Sequence, residues 1–224
     1  MVGFFRFLSF DRGINSILRL DLPKVYPITD TRLSGLSHAE QVKRLIQGGA
    51  TIIQLRDKSA TPRDFCDAAQ AALVVAHQHD VRLIINDRVD IALAIGADGV
   101  HVGQTDLPPA AARRLLGPES IIGLSTHNLN QVKLALSQPI DYLAFGPVFD
   151  TETKFGADPT VSLEDLRGVR EFVRLPLVAI GGITAATAPA VLAAGADSVA
   201  MISEVIASQH LIAENLRRVL AALK

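Results

Sequence analysis

Short runs rich in Val, Ile and Leu recur along most of the chain, separated by longer Ala- and Leu-rich segments with helical spacing. Parallel strands covered on both faces have such apolar runs, whereas amphipathic helices repeat their apolar residues every three or four positions. Eight strands are predicted, at residues 25–29, 51–56, 82–86, 99–102, 121–125, 142–146, 177–180 and 198–202. Helices are predicted between them, for example at 64–77, 108–116, 129–136, 163–172 and 187–194, and a helical tail at 211–223.

A short repeat stands directly before every second strand. It reads Gly-Ala-Thr at 49–51, Gly-Ala-Asp at 96–98 and 195–197, and Pro-Ile-Asp at 139–141. The spacing is irregular but near 50 residues, about one quarter of an eightfold barrel. We therefore predict an α/β fold, a single (β/α)8 TIM barrel over residues 25–224, with a doubly wound open sheet as the alternative. Residues 1–24 form a short N-terminal extension, in which 14–20 are a candidate helix.

Composition restricts the kinds of function. The net charge is −1, which gives no general attraction to nucleic acid or to an anionic membrane. Cys66 is the single cysteine, so an intrachain disulfide and a cysteine metal cage are excluded. The apolar residues 4–10 are interrupted by Arg6 and lack a cleavage pattern, so they do not indicate a signal peptide. No run approaches the roughly 18 apolar residues that span a bilayer, and we expect a soluble cytoplasmic protein.

The end of the second strand is the most polar part of any predicted strand. Gln54, Arg56 and Lys58 share one side because side chains alternate along a strand, while Leu55 and Asp57 take the other. Two cations and an amide at the end of a buried strand are costly unless an anion meets them. An ion-pair layer inside the barrel is the alternative explanation.

Nearly every other out-of-place polar or glycine residue also lies at the carboxyl end of a predicted strand. Asn86 and Asp87 follow strand three, Asp106 follows strand four and Ser125 ends strand five. The carboxyl ends of barrel strands meet at one mouth, where active sites of this architecture lie. Asp87 and Asp106 also suit helix N-caps, but two carboxylates beside a row of cations are what a Mg²⁺-diphosphate requires.

Two further groups point to phosphate binding. Gly181-Gly182 and Ile202-Ser203 follow strands seven and eight, the usual phosphate site of such barrels. A tight turn that needs glycine is the alternative for the first pair. The segment Thr-Glu-Thr-Lys at 151–154 is too polar for a core and is either a ligand-orienting loop or a solvated one. Ser125 and His127 stand two residues apart, but no acid is positioned to complete a catalytic triad.

Together these motifs resemble the thiamine phosphate synthase family. The matching segments are 25–30, 54–58, 86–88, 99–106, 123–127, 146–154 and 179–183, so the likeness runs in order over most of the chain. The set of Gln-x-Arg-x-Lys, two acids and Thr-x-Thr-Lys is specific, although no single motif is. One departure lies before residue 163, where an expected glycine is lacking.

The resemblance implies a transferase that joins an aminopyrimidine methyl diphosphate to a thiazole ethyl phosphate, giving thiamine phosphate and diphosphate. It implies Mg²⁺ as the cofactor, with Asp87 and Asp106 as its ligands. It assigns the catalytic roles to Arg56, Lys58, Ser125 and Lys154. The pyrimidine diphosphate would contact Gln54, Leu55, Arg56, Asp57, Lys58, Asn86, Ser125 and Lys154. The thiazole phosphate would contact Thr151, Glu152, Thr153, Gly182, Ile202 and Ser203.

Two rival functions remain. The sister thiazole tautomerase is expected to have the same barrel and thiazole phosphate pocket but would not need the complete diphosphate set, and His127 is the residue that favours it. A non-catalytic barrel that binds a phosphorylated ligand is the second rival. The expected partners are small molecules, without nucleic acid or membrane, and the resemblance suggests a homo-oligomer.

Overall fold

A computed structural model describes residues 20–150 and 159–224 of the chain. Eight parallel strands form a closed barrel in sequence order, and β8 pairs with β1. The predicted (β/α)8 TIM barrel is confirmed, and the doubly wound sheet is excluded because an open sheet has two unpaired edges. The strands are β1 Val25–Thr29, β2 Ile52–Leu55, β3 Arg82–Asn86, β4 Gly99–Val102, β5 Ile121–Thr126, β6 Tyr142–Phe145, β7 Leu177–Ala179 and β8 Ser198–Met201.

Helices connect the strands and cover the outside of the barrel. They are α1 Thr31–Ser34, α2 His38–Gln47, α3 Pro62–His77, α4 Val89–Ile95, α5 Pro109–Leu116, α6 Leu129–Ala135, α7 Leu163–Phe172, α8 Ala188–Ala193, α9 Ser203–Ile206 and α10 Ile212–Ala222, with a 3-10 turn at Gln209–Leu211. None of these helices is long and apolar enough to cross a membrane. The candidate helix at 14–20 lies outside the described residues except for Leu20.

The apolar residues form two clusters on opposite faces of the strands. The larger cluster lies between the strands and the surrounding helices, and it includes Leu55, Leu83 and Phe145. The smaller cluster fills the barrel interior and includes Tyr26, Tyr142 and Leu22, the last of which belongs to the N-terminal extension. Strand alternation produces this division, because successive side chains point to opposite faces.

The aspartates of the sequence repeat tie neighbouring strands together at the amino ends of the strands. Each carboxylate accepts a hydrogen bond from a backbone N–H of the preceding strand. The pairs are Asp98 with Leu83 at 2.7 Å, Asp141 with Ile122 at 2.6 Å and Asp197 with Leu177 at 2.8 Å. The repeat therefore has a structural role at the face of the barrel opposite the predicted site.

A cationic or polar side chain from a preceding helix supports each of these carboxylates. The contacts are His77 Nε2 to Asp98 at 3.0 Å, Arg113 Nη2 to Asp141 at 2.7 Å and Arg170 Nη1 to Asp197 at 2.8 Å. The same arrangement thus occurs between β3 and β4, between β5 and β6, and between β7 and β8.

Candidate functional site

The carboxyl ends of the strands surround a cavity of ≈ 350 Å³. Most of the predicted site residues that the structure describes line it. These are Gln54, Arg56, Lys58, Asn86, Asp87, Asp106, Ser125, Gly182, Ile202 and Ser203. The predicted contributions of Thr151, Glu152, Thr153 and Lys154 lie outside the described residues.

Leu55 and Asp57 do not line this cavity, so their placement does not support the predicted substrate contacts. Leu55 is fully buried between the strands and the helices. Asp57 accepts hydrogen bonds from the N–H groups of Ser59 at 2.8 Å and Ala60 at 2.9 Å, and from the hydroxyl of Thr31 at 3.1 Å. Burial opposes ionisation of Asp57, but these bonds outweigh it and lower the pKa of Asp57 to about 2.

Asp57 therefore shapes the turn that follows β2. Its carboxylate accepts hydrogen bonds from the backbone of this turn, on the outer side of the strand and away from the mouth of the barrel. The alternation of side chains along β2 already indicated this side for both Leu55 and Asp57.

Arg56 is anchored by a carboxylate that the sequence analysis did not single out. Arg56 Nη1 donates to Asp30 Oδ2 at 2.8 Å, and the side chain of Asp30 is only 3% exposed. Asp30 directly follows β1 and also accepts from the backbone N–H of Arg32 at 3.0 Å, as the N-cap of α1. An acid at the end of the strand beside β2 was the available signal for this partner.

Asp87 and Asp106 lie together at the ends of β3 and β4. Asp87 has a φ of 63°, in the left-handed region that side chains rarely adopt, and its N–H donates to the carbonyl of His101 at 2.7 Å. Its carboxylate forms an ion pair with Lys58. Asp106 Oδ2 accepts from the N–H of Gly103 at 2.7 Å.

The electrostatics of this pair show that the carboxylates repel each other. Burial raises the pKa of Asp106, the N–H of Gly103 partly offsets this, and the neighbouring Asp87 raises the pKa further. The alternative role of both acids as helix N-caps does not hold. The N-caps of α4 and α5 are Arg88 and Pro108, and neither provides a side-chain cap.

This arrangement is suited to a divalent cation. Two crowded carboxylates, one of them on strained backbone, lose their repulsion when a cation lies between them. Within residues 20–150 and 159–224, no group of three or more His, Cys, Asp or Glu is placed to hold a metal. Mg²⁺ needs only one or two carboxylates, because water and phosphate oxygens complete its shell.

A chain of hydrogen bonds crosses the floor of the cavity. The amide of Gln54 contacts the hydroxyl of Tyr26 at 3.4 Å, and that hydroxyl contacts the hydroxyl of Tyr142 at 3.1 Å. Tyr142 contacts His101 Nδ1 at 2.8 Å, and His101 Nε2 contacts Ser125 Oγ at 2.8 Å. The chain therefore joins β2, β1, β6, β4 and β5.

The side chains joined by these hydrogen bonds are neutral. Burial lowers the pKa of His101 to about 4, although Asp106 opposes the shift, and burial raises the pKa values of Tyr26 and Tyr142. His101 is packed inside the barrel, and it also lines the cavity. The two tyrosines were not predicted in the site. They are the only tyrosines in the chain and both lie in strands, which was the available signal.

The opposite wall of the cavity is close-fitting backbone. Gly181 and Gly182 have φ values of 103° and 59°, and an added Cβ at Gly181 would lie 2.5 Å from Pro147 Cα. Ser203 begins α9, one residue beyond the end of β8. This wall therefore presents peptide groups and a hydroxyl to a ligand, as a phosphate site does.

His127 lies at the rim of the cavity, beside the end of β5. Its Nδ1 contacts the carbonyl of Gly146 at 2.7 Å, and its backbone N–H donates to Gln131 Oε1 at 2.7 Å. Because a carbonyl only accepts, Nδ1 carries the proton in this contact. The ring is thus held in one orientation.

Comparisons with known proteins identify the family of this chain. The family model described as thiamine monophosphate synthase matches residues 25–205. The thiamine-phosphate synthase of Methanospirillum hungatei is 47% identical over 190 residues, which are 84% of this chain and 92% of the relative. That of Chloroflexus aurantiacus is 45% identical over 191 residues, which are 85% of this chain and 88% of the relative.

A solved structure supports the same family. The thiamine phosphate pyrophosphorylase of Pyrococcus furiosus superposes with a TM-score of 0.78 and is 37% identical in sequence, covering 89% of this chain and 96% of its own. The matched regions include every strand of the barrel. The chain therefore belongs to the thiamine monophosphate synthase family.

Proposed function

We propose that this chain is a thiamine-phosphate synthase, which transfers an aminopyrimidine methyl group from diphosphate to the nitrogen of a thiazole ethyl phosphate. One observation carries the assignment of the site. Arg56 and Lys58 enter the same cavity as the carboxylates of Asp87 and Asp106, where a Mg²⁺-diphosphate would contact all four. The relatives named above carry the same activity in their names.

The reaction breaks one bond and forms one bond. The C–O bond between the methylene carbon and the diphosphate breaks, and its electron pair leaves with the diphosphate. The lone pair of the thiazole nitrogen then forms the new C–N bond. Arg56 and Lys58 stabilise the negative charge that grows on the departing oxygen, and we expect Lys154 to join them. This bond formation removes no proton from the nitrogen, so no strong general base is required.

Mg²⁺ fits the residues present, with Asp87 and Asp106 as the groups that would hold it. The bound ion would supply positive charge that stabilises the diphosphate as it leaves. Lys58 already forms an ion pair with Asp87, which keeps its ammonium at the cavity, beside a carboxylate that would hold the ion. Asp30 restrains Arg56 in the same way, from behind the cavity wall.

The second substrate is proposed to lie against the glycine wall. Gly182, Ile202 and Ser203 would contact the thiazole phosphate through peptide N–H groups and the serine hydroxyl. Thr151, Glu152 and Thr153 stay predictions for this pocket. Two substrates held in one cavity gain most of the remaining rate enhancement from their fixed orientation.

A pair of arginine variants tests the proposal. Arg56→Ala should lower the rate of thiamine phosphate formation by at least about a hundredfold, because one charge opposite the leaving group is lost. Arg82→Ala is the matched control, since Arg82 is exposed at the first residue of β3, at the other end of the barrel. The control should keep the rate of the unmodified protein. Equal rates in both variants would contradict the assignment of Arg56.

The tautomerase rival is retained because of one observation, the fixed imidazole of His127 at the rim. A tautomerase would convert the thiazole phosphate alone and would release no diphosphate, so product analysis with one substrate at a time separates the two activities. A phosphate-binding barrel would bind without turnover.

We further propose that the enzyme is cytoplasmic and homo-oligomeric, which cell fractionation and light scattering would test.

A further inference from the structure

The register of three neighbouring strands places Tyr142 and His101 within reach of each other. His101 on β4 is opposite Gly123 on β5, and Gly123 is opposite Tyr142 on β6. Residues in one such layer of a barrel point into the same interior level. One strand, β5, separates β4 from β6 in the pairing order, so a side chain on β5 would normally keep the two rings apart.

Gly123 removes that obstacle. A Cβ at this position would lie 2.5 Å from His101 Nδ1 and nearer still to the phenol of Tyr142. Without it, the two rings stack with centroids 5.4 Å apart and an interplanar angle of 28°. The sequence thus leaves a gap in β5 through which the hydroxyl of Tyr142 contacts the imidazole.

The hydrogen bonds of this floor have a direction. The amide nitrogen of Gln54 only donates, so the hydroxyl of Tyr26 accepts from it. The proton of this buried hydroxyl then has Tyr142 as its remaining partner, and because a buried donor without an acceptor is costly, we infer that Tyr26 donates to Tyr142. The hydroxyl of Tyr142 then donates to His101 Nδ1. A neutral imidazole has one proton, which must be on Nε2, where it is donated to Ser125 Oγ.

We propose that Tyr142 is a positioning residue that locks His101 in the Nε2–H tautomer, so that the hydroxyl proton of Ser125 is directed into the cavity. Ser125 has a single proton to donate. With the imidazole in the other tautomer, that proton would be donated to His101 and only lone pairs would face the substrate. The relay therefore makes Ser125 a donor toward the pyrimidine substrate, which carries acceptors on its ring and its diphosphate.

The inference concerns the free protein, and only its kinetic consequence rests on the proposed function. Nitrogen-15 NMR of histidine-labelled full-length protein reports which nitrogen of His101 carries the proton, with His101→Asn used to assign the signal. We expect Nε2–H in the unmodified protein and a mixture of tautomers in Tyr142→Phe. Thr126→Val is the matched control, because it removes one buried hydroxyl of β5 that donates to the carbonyl of Ala144 at 2.9 Å, outside this set of hydrogen bonds. The tautomer of His101 should not change in this variant.

Kinetics give the second readout. Tyr142→Phe should lower kcat/KM for the pyrimidine diphosphate by about tenfold, as the loss of one hydrogen bond would, with an unchanged KM for the thiazole phosphate. Thr126→Val should lose at most about threefold. An Nδ1–H tautomer in the unmodified protein, or the same tautomer in Tyr142→Phe, would overturn the proposal. If the tautomers behave as expected but no thiamine phosphate forms, the relay stands and the proposed function fails.

Discussion

The carboxylate of Asp141 provides a test of how the barrel is held together away from the site. We consider Asp141→Ala. The change removes the carboxylate oxygen that accepts from the N–H of the fully buried Ile122 at 2.6 Å. It also removes the ion pair with Arg113. A buried N–H left without an acceptor costs about 1–3 kcal/mol.

The ion pair adds little to this cost. The side chains of Arg113 and Asp141 are 20% and 35% exposed, and such pairs contribute at most about 1 kcal/mol. Arg113 also keeps its bonds to the carbonyls of Gly117 and Pro118, both at 3.1 Å. We therefore expect Asp141→Ala to lower the free energy of unfolding by about 2 kcal/mol.

Asp141→Asn is the matched control, because its amide oxygen can still accept from Ile122. It should lower the free energy of unfolding by about 1 kcal/mol or less, because only the charge of the ion pair with Arg113 is lost. Urea unfolding followed by circular dichroism measures both variants, and kcat of the folded proteins should not change. Equal losses in the two variants would show that the Ile122 N–H does not need this acceptor, and the reasoning on the repeat would be refuted.

Three further predictions concern the site. Asp106→Asn should abolish most turnover while raising the free energy of unfolding by about 1 kcal/mol, because it removes the repulsion with Asp87. An activity assay and thermal unfolding measure the two effects, and a variant less stable than the unmodified protein would contradict this prediction. The free energy of unfolding should fall as the pH drops from about 6.5 to 4, by up to about 3 kcal/mol, because the unfolded chain protonates its histidine in this range while His101, with a pKa of about 4, stays neutral in the fold. His101→Asn should flatten this part of the stability profile, and an unchanged slope would refute the assignment. Gly123→Ala should destabilise the protein by about 1–3 kcal/mol by forcing Tyr142 out of place, and a neutral effect on urea unfolding would contradict the close packing.

The sequence predicted the architecture because periodicity and turn signals are local. All eight strands were located, with ends that differ by one residue at most: β5 extends to Thr126, and β2 runs from Ile52 to Leu55. The polar residues at the strand ends predicted the cavity lining, since a closed barrel brings those ends to one mouth. Side-chain alternation should also have removed Leu55 and Asp57 from the predicted substrate contacts.

What the sequence did not reveal depends on register between distant strands. The contact of Tyr142 with His101 requires Gly123 to lie between them, and no local pattern fixes that alignment. Asp30 was likewise not singled out as the partner of Arg56, because the pairing joins different strands. The repeat at 96–98, 139–141 and 195–197 was recognised, but its carboxylate bonds to the neighbouring strands became visible only in three dimensions.

The most direct test of the account is diphosphate release by the purified protein given both substrates, with Mg²⁺ and with EDTA. We predict release that requires Mg²⁺ and the thiazole phosphate together, because the cation and carboxylate groups of the cavity act on one diphosphate. Tight binding of the thiazole phosphate without any diphosphate release would contradict the account. The ion pair of Lys58 with Asp87 and that of Arg56 with Asp30 would then be a structural layer of the barrel.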